Sequence, residues 1–222
     1  ITDTSFLNDL VIDNKHGVIY IADTAQGSQA AIIIVNLKTG EARRVLQDSQ
    51  YTTAEDIDIV INGRTMNLGG QPARLGVNPI TLDPNEDWLY FGSMSGTSVY
   101  RIATSAINNK SLSTKALEAK VIRYGTKPSA DGITVDGGGN VYVTDITNHA
   151  IGVVKPSGDY EVLFKDDRLS WPDGFSYGAD HKIYFTVNDL HNSPVLSNDK
   201  TQNPNKFKVM SFTPLVKGKV GR

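Results

Sequence analysis

The sequence predicts an all-β fold, a β-propeller of four-stranded antiparallel blades, and three observations carry that prediction. Four times the chain repeats one phrase: a leading Asn or Asp, a short apolar strand, a turn, and an apolar-Tyr-apolar strand. The copies are led by Asn8, Asn78, Asp131 and Asp173, and Tyr20, Tyr90, Tyr142 and Tyr184 follow them by 12, 12, 11 and 11 residues. The leading positions are 70, 53 and 42 residues apart (78−8, 131−78, 173−131). The last two intervals suit a propeller blade of about 40 to 50 residues.

Each element follows in order. Turn residues separate the first two strands of every copy, in Asn14-Lys15-His16-Gly17, Pro84-Asn85-Glu86-Asp87, Gly137-Gly138-Gly139-Asn140 and Gly178-Ala179-Asp180-His181, where tight hairpins need them. Third strands are expected over Ala31–Leu37, Ser98–Ala103, Ala150–Lys155 and Phe207–Phe212, all apolar and rich in β-branched residues. A more polar fourth strand follows in at least two copies, over Ala42–Leu46 and Tyr160–Phe164. The first copy is lengthened by residues 47–74, which contain a strand-like run, Ile57–Ile61, before an Asn62-Gly63 turn, and which read as an elaborated outer edge of that blade. Residues 104–120 read as a second outer excursion with a helix over Ser113–Ala119, and residues 188–206 as a long polar loop, the kind that tends to carry function. The chain is thus one domain over residues 1–222, with blades at about 6–74, 75–127, 128–169 and 170–216.

Composition excludes several classes. A net charge of −2 and the absence of any Lys/Arg stripe give no reason to expect nucleic acid or an anionic membrane as partner, and the basic end, Lys217–Arg222, reads as a solvated tail. Cysteine is absent, which excludes disulfides, thiolate catalysis and Cys-ligated zinc. The longest apolar run, Ala30–Val35, is strand-sized and far below the roughly 20 residues of a membrane span. The chain opens at Ile1 without a Met, as expected of an internal segment or a processed form.

The run Lys127-Pro128-Ser129-Ala130-Asp131-Gly132, with Val141-Tyr142-Val143-Thr144-Asp145 and Asn148-His149-Ala150-Ile151-Gly152, resembles the major royal jelly protein/Yellow family. So do Trp171-Pro172-Asp173-Gly174, Asn188-Asp189-Leu190-His191, and the first copy from Phe6 to Asp13 with Tyr20–Asp23. The resemblance implies a six-bladed propeller, related in fold to regucalcin and gluconolactonase, of which this chain supplies about four blades. Insect members are secreted, so the resemblance favours a secreted or periplasmic setting. Some members are associated with dopachrome conversion and some bind biogenic amines, and fold alone does not choose between them.

In a propeller blade the innermost strand starts, and the second strand ends, at the same mouth of the central channel. The starting residues are Asn8, Asn78, Asp131 and Asp173, and the ending ones Asp23, Ser93, Asp145 and Val187, the last followed by Asn188 and Asp189. Converging oxygens without Cys or a His pair suit Ca²⁺ or another divalent cation, with no organic cofactor. Asn8, Asp131 and Asp173 are the expected metal ligands. In the gluconolactonase-like reading such a cation polarises a lactone carbonyl while Asp131 or Asp173 acts as catalytic base. Asn8, Asn78, Asp145, Trp171, Asn188 and His191 are the expected ligand-binding residues, for a small molecule such as an amine or a lactone. Asp and Asn before a strand also bond their own backbone and fix turns, and repetition in every blade suits that architectural role equally. The repeated tyrosines read as blade packing, His16, His149 and His181 as solvated loop side chains, and no serine sits in a nucleophile elbow. Three functions therefore stand side by side: a small-molecule-binding propeller with its site at the channel mouth, a cation-dependent lactonase, and a protein-interaction scaffold.

Overall fold

The computed structural model describes residues 1–25, 29–197 and 207–221. Blade 1 is β1 (Leu7–Asp13), β2 (Val18–Asp23), β3 (Ala31–Asn36) and β4 (Ala42–Val45). A ribbon of four two-residue strands follows, β5 (Val60–Ile61), β6 (Arg64–Thr65), β7 (Asn67–Leu68) and β8 (Gln71–Pro72). Blade 2 is β9 (Val77–Leu82), β10 (Trp88–Ser93), β11 (Ser98–Ala103) and, after the short helices α1 (Thr104–Ile107) and α2 (Thr114–Glu118), β12 (Ile122–Thr126). Blade 3 is β13 (Ala130–Val135), β14 (Val141–Asp145), β15 (Ala150–Val154) and β16 (Tyr160–Lys165). Blade 4 contributes β17 (Pro172–Tyr177), β18 (Ile183–Val187) and β19 (Lys208–Phe212), with a 3₁₀ turn over Leu190–Asn192 and α3 over Pro194–Ser197 between the last two. Every blade is an antiparallel meander in which sequence neighbours pair.

Residue alternation explains how the blades stack. On β2 and β14 the tyrosines Tyr20 and Tyr142 are fully buried, and Tyr90 on β10 is 3% exposed. Each lies in a cluster shared with the next blade: Tyr20 with Val77 and Ile80, Tyr90 with Ile133 and Val143, Tyr142 with Tyr177 and Ile183. The hydroxyls are not idle. Tyr20 donates to Asp13 Oδ2 and Tyr142 to Asp136 Oδ2, both at 2.8 Å, while the other oxygens of Asp13 and Asp136 accept backbone N–H groups of the hairpin turn at 2.9 and 2.8 Å. One Tyr–Asp pair thus packs a blade and closes its turn. In blade 4 the equivalent Tyr184 is 37% exposed, so it packs only partly.

Successive innermost strands lie side by side, β1 on β9, β9 on β13 and β13 on β17, whereas β17 does not pack back onto β1 in this way. The result is an arc of a ring. Its two end faces show apolar side chains to the outside, Leu10 (56% exposed) and Ile12 on blade 1 and Val209 (72%) with Tyr184 on blade 4.

The fourth strand of blade 2 follows the helical excursion, because Ser113 caps α2 (its Oγ accepts from Ala116 N–H at 3.3 Å) and the chain then returns to the edge of β11. Other expectations need correction. The segment 57–73 is no outer edge of blade 1. Only Val60–Ile61 pairs across the Asn62-Gly63 turn, and Ile59, Ile61 and Met66 bury themselves against Met94, Ile146, Trp171 and Leu196 from the other three blades, because so short an apolar ribbon has no core of its own. Finally, the C-terminal residues form a strap. Leu215 N–H bonds Tyr142 Oη (2.7 Å), Gly137 N–H bonds Lys217 O (2.9 Å), and Lys219 Nζ bonds the buried carboxylate of Glu86 (2.7 Å), which also accepts Lys15 N–H (2.7 Å). The strap joins blade 4 to the hairpins of blades 3, 2 and 1 beneath the arc. Part of the loop expected over 188–206 is the 3₁₀ turn and α3, and residues 198–206 lie outside the described residues. No helix among the described residues is long and apolar enough to cross a membrane.

Gly218 lies flat on the buried ring of Tyr177, where a Cβ would meet Cζ at 2.3 Å. Gly218→Ala is expected to destabilise the fold by about 1–3 kcal/mol, the usual cost of overpacking. Glu86→Gln, which leaves two donors facing a weakened acceptor, is expected to cost about the same. Urea unfolding midpoints at constant m-value check both.

Candidate functional site

The mouth is built by bulges. The pairing of each innermost strand with its neighbour slips near the mouth, between Leu7 and Leu10, Phe91 and Ser93, Ala130 and Ile133, and Asp173 and Phe175. A bulge re-aims the side chains beside it. In blade 3 the freed N–H groups of Asp131 and Gly132 are taken up by Thr144 Oγ1 at 3.2 and 2.8 Å. Gly132 also permits β13 and β17 to approach, since a Cβ there would stand 3.2 Å from Gly174 N.

The leading residues meet at the axis as a ladder of side chains. Asn8 Nδ2 donates to Asn78 Oδ1, and Asn78 Nδ2 donates to Asp131 Oδ1. The other carboxylate oxygen of Asp131 accepts the indole N–H of Trp171 at 2.6 Å, and Trp171 holds a left-handed backbone conformation (φ 60°). That conformation is uncommon for a bulky residue and signals local strain. Asp173 accepts its own neighbour Gly174 N–H (2.7 Å) and Asn188 Nδ2 (3.0 Å). Asn8, Asn78, Asp131, Trp171 and Asp173 therefore all line one cavity, and Asn188 stands behind Asp173.

Asp145 and His191 are elsewhere. Asp145 is fully buried and accepts Thr147 Oγ1, Asn148 N–H, Asn148 Nδ2 and Tyr160 Oη at 2.8–3.0 Å, so it closes the β14–β15 turn. Asp23 likewise takes Ser5 Oγ at 2.6 Å, Phe6 N–H at 2.8 Å and the Arg44 guanidinium. At strand ends the architectural role holds. His191 is buried, stacked on the far side of Trp171 with 4° between ring planes.

A residue missed in the sequence completes the floor. Asp9 enters the cavity because the bulge between Leu7 and Leu10 shifts it out of the strand alternation. The cavity measures about 740 Å³, its walls come from apolar side chains such as Phe6, Leu75, Met94 and Leu196, and among the described residues no Lys, Arg or His lines it. Burial, then the nearby Asp173, pushes the Asp9 carboxyl up to about 7. The Asp131 carboxyl is also raised well above the ordinary range, by burial first and Asp173 second, and that of Asp173 is raised by burial. Burial and mutual repulsion thus make all three of these carboxyls harder to ionise than free ones.

Among the described residues no three His, Asp or Glu side chains stand where they could hold a metal ion. Both oxygens of Asp131 face N–H donors, and Asn78 presents its amide nitrogen to that carboxylate. With its oxygens so occupied, Asp131 does not offer the free oxygens that a hard cation needs.

An arc of four antiparallel blades around a common mouth defines the β-propeller class. Within that class the chain belongs to the major royal jelly protein family, whose profile matches residues 1–210. No curated protein matches it in sequence. Among solved structures it is similar in fold to regucalcin, a calcium-binding protein from Agrobacterium tumefaciens, with TM-score 0.61 and 13% identity, over 98% of this chain and 64% of that one. A luciferin-regenerating enzyme gives TM-score 0.63 and 15% identity over 98% and 64%. A gluconolactonase from Xanthomonas campestris gives 0.52 and 12% over 81% and 53%. The chain thus spans about 64% of the length of the first two.

The carboxyls set a pH dependence. A carboxyl raised in the folded state stabilises the fold at low pH, and that contribution is lost as pH climbs from the unfolded value toward and through the folded one, here from 3.8 to about 7 for Asp9. Asp9→Asn removes the charge that must otherwise form. It is expected to raise Tm at about pH 8 by at least 2–4 °C, roughly 1 kcal/mol for a chain of this size, and to change little at about pH 5. Thermal melts of the variant and parent at both pH values measure this.

Proposed function

We propose that this chain is the ligand-binding arc of a six-bladed propeller and that it binds a small organic amine at the mouth of the central channel. The observation that supports this reading is the cavity itself: apolar walls above a floor of Asp9, Asp131 and Asp173, with no basic residue among the described ones lining it. A protonated amine supplies the missing cation, offsets its desolvation by pairing with the carboxyls of Asp9 and Asp173, and lays its apolar body against Phe6, Leu75 and Met94. A neutral lactone would need hydrogen-bond donors for its carbonyl, and the floor offers acceptors. Trp171, tied to Asp131, presents the aromatic wall. The open arc, the exposed apolar faces at its two ends, and a similar fold about half as long again support the six-bladed reading.

Isothermal titration of the chain with an arylalkylamine and with a neutral lactone tests this. The amine is expected to bind and the lactone not. The double variant Asp131→Asn with Asp173→Asn is expected to lose at least about 2 kcal/mol of amine affinity, the scale of a buried charge-assisted contact. Equal amine binding by the double variant would refute the site. A melting temperature raised by Ca²⁺ and lowered by EDTA, with turnover of the lactone, would instead favour the cation-dependent hydrolase.

A further inference from the structure

The cavity has one wall that the innermost strands do not supply. Leu190, Ser193, Val195 and Leu196, from the 3₁₀ turn and α3, close its side. This wall hangs on His191, which is 2% exposed and sits between two rings: Trp171 in parallel stacking and His149 edge-on, each 6.2 Å away between centroids. The backbone around it is held from the ribbon, where Arg64 Nη2 donates to His191 O (2.7 Å) and Asn192 Oδ1 (3.0 Å), and His149 Nε2 meets Asn62 Oδ1 at 2.9 Å.

Two observations single this wall out. Asp189, Trp171, His149 and Asn62 around it all hold left-handed backbone conformations, with φ between 52° and 60°. And three buried polar atoms, Asp189 Oδ1, His191 Nδ1 and Ser193 Oγ, have no hydrogen-bond partner among the described residues. Strained backbone together with unsatisfied polar groups is costly and persists where a segment must exchange between two arrangements.

We propose that residues 190–197 are a pH-gated lid on the mouth cavity, closed while His191 is neutral and stacked on Trp171, and released when it takes a proton. A charged imidazole would be buried with Nδ1 unpaired, next to Arg64 and edge-on to His149. Asp189 beside it opposes this, and Asp131 lies beyond Trp171. The balance favours the neutral ring: burial first, with His149 and Arg64 adding to it, holds the His191 pKa below its ordinary 6.5, against the pull of Asp189. A folded pKa below the free value means that closure is at full strength above about 6.5 and weakens as pH falls through that value toward the closed-state pKa. The lid concerns access to the cavity and does not depend on which ligand enters.

Hydrogen exchange tests it without a ligand. The N–H groups of Asn192, Ser193 and Leu196 bond within the lid, at 2.9, 2.9 and 3.2 Å. After correction for intrinsic rates, their protection is expected to drop between about pH 7.5 and pH 5, by about tenfold for each unit separating the open and closed pKa values. Protection of β14 stays constant. His191→Phe, which stacks but cannot be charged, and His191→Gln are each expected to abolish the drop, and either one suffices if the other does not fold. Asp9→Asn, which alters the carboxyl cluster alone, is expected to retain it. Constant lid protection in the parent chain, or a drop of the same size in the foldable His191 variant, would overturn the proposal.

Discussion

The structure depends on one row of hydrogen bonds at the axis, from Asn8 to Asn78 to Asp131 to the indole of Trp171. Each member starts an innermost strand, or directly precedes one, in a different blade. The row ties together parts of the chain more than 160 residues apart (171−8). It also explains the local irregularities. The bulges turn these side chains inward, Gly132 lets two strands approach, and Trp171 accepts a left-handed backbone so that its N–H reaches a carboxylate. Burying Asp131 costs desolvation, which raises its pKa and which the two N–H donors on its oxygens offset.

Around that row the division of labour is uneven. Polar residues that begin innermost strands face the cavity, whereas Asp23 and Asp145, at the ends of second strands, have their oxygens filled by turn and strand donors. The same residue type faces the cavity in one position and serves architecture in the other. What separates them is whether the local chain offers enough N–H and O–H groups to saturate a carboxylate. Asp13 and Asp136 belong to the architectural kind, each clamped by a tyrosine hydroxyl.

Much of this was legible in the sequence. The period-two strands, the Tyr repeat and the turn residues fix four blades, since each rule acts over a few neighbouring residues. The convergence of Asn8, Asn78, Asp131 and Asp173 followed from topology. Asp9 was hidden because strand alternation assigns it to the face opposite Asn8, and only a bulge reverses this. The ribbon over residues 57–73 was misplaced for a similar reason: Ile59, Ile61 and Met66 announce burial, yet nothing local says that the surface they cover belongs to other blades. Lys217–Gly221 looked like a charged tail because its anchor, Glu86, lies some 130 residues earlier (219−86) and is itself buried by the contact.

Membership of the major royal jelly protein family and likeness to regucalcin and gluconolactonase establish the architecture, while the chemistry rests on the mouth. The account's central claim is that blade-leading side chains meet there. A double-mutant cycle on Asn78 and Asp131, each changed to Ala, tests it most directly by denaturant unfolding. Contact predicts a coupling energy of about 1–3 kcal/mol. Additivity to within about 0.3–0.5 kcal/mol, the behaviour of separated sites, would contradict it.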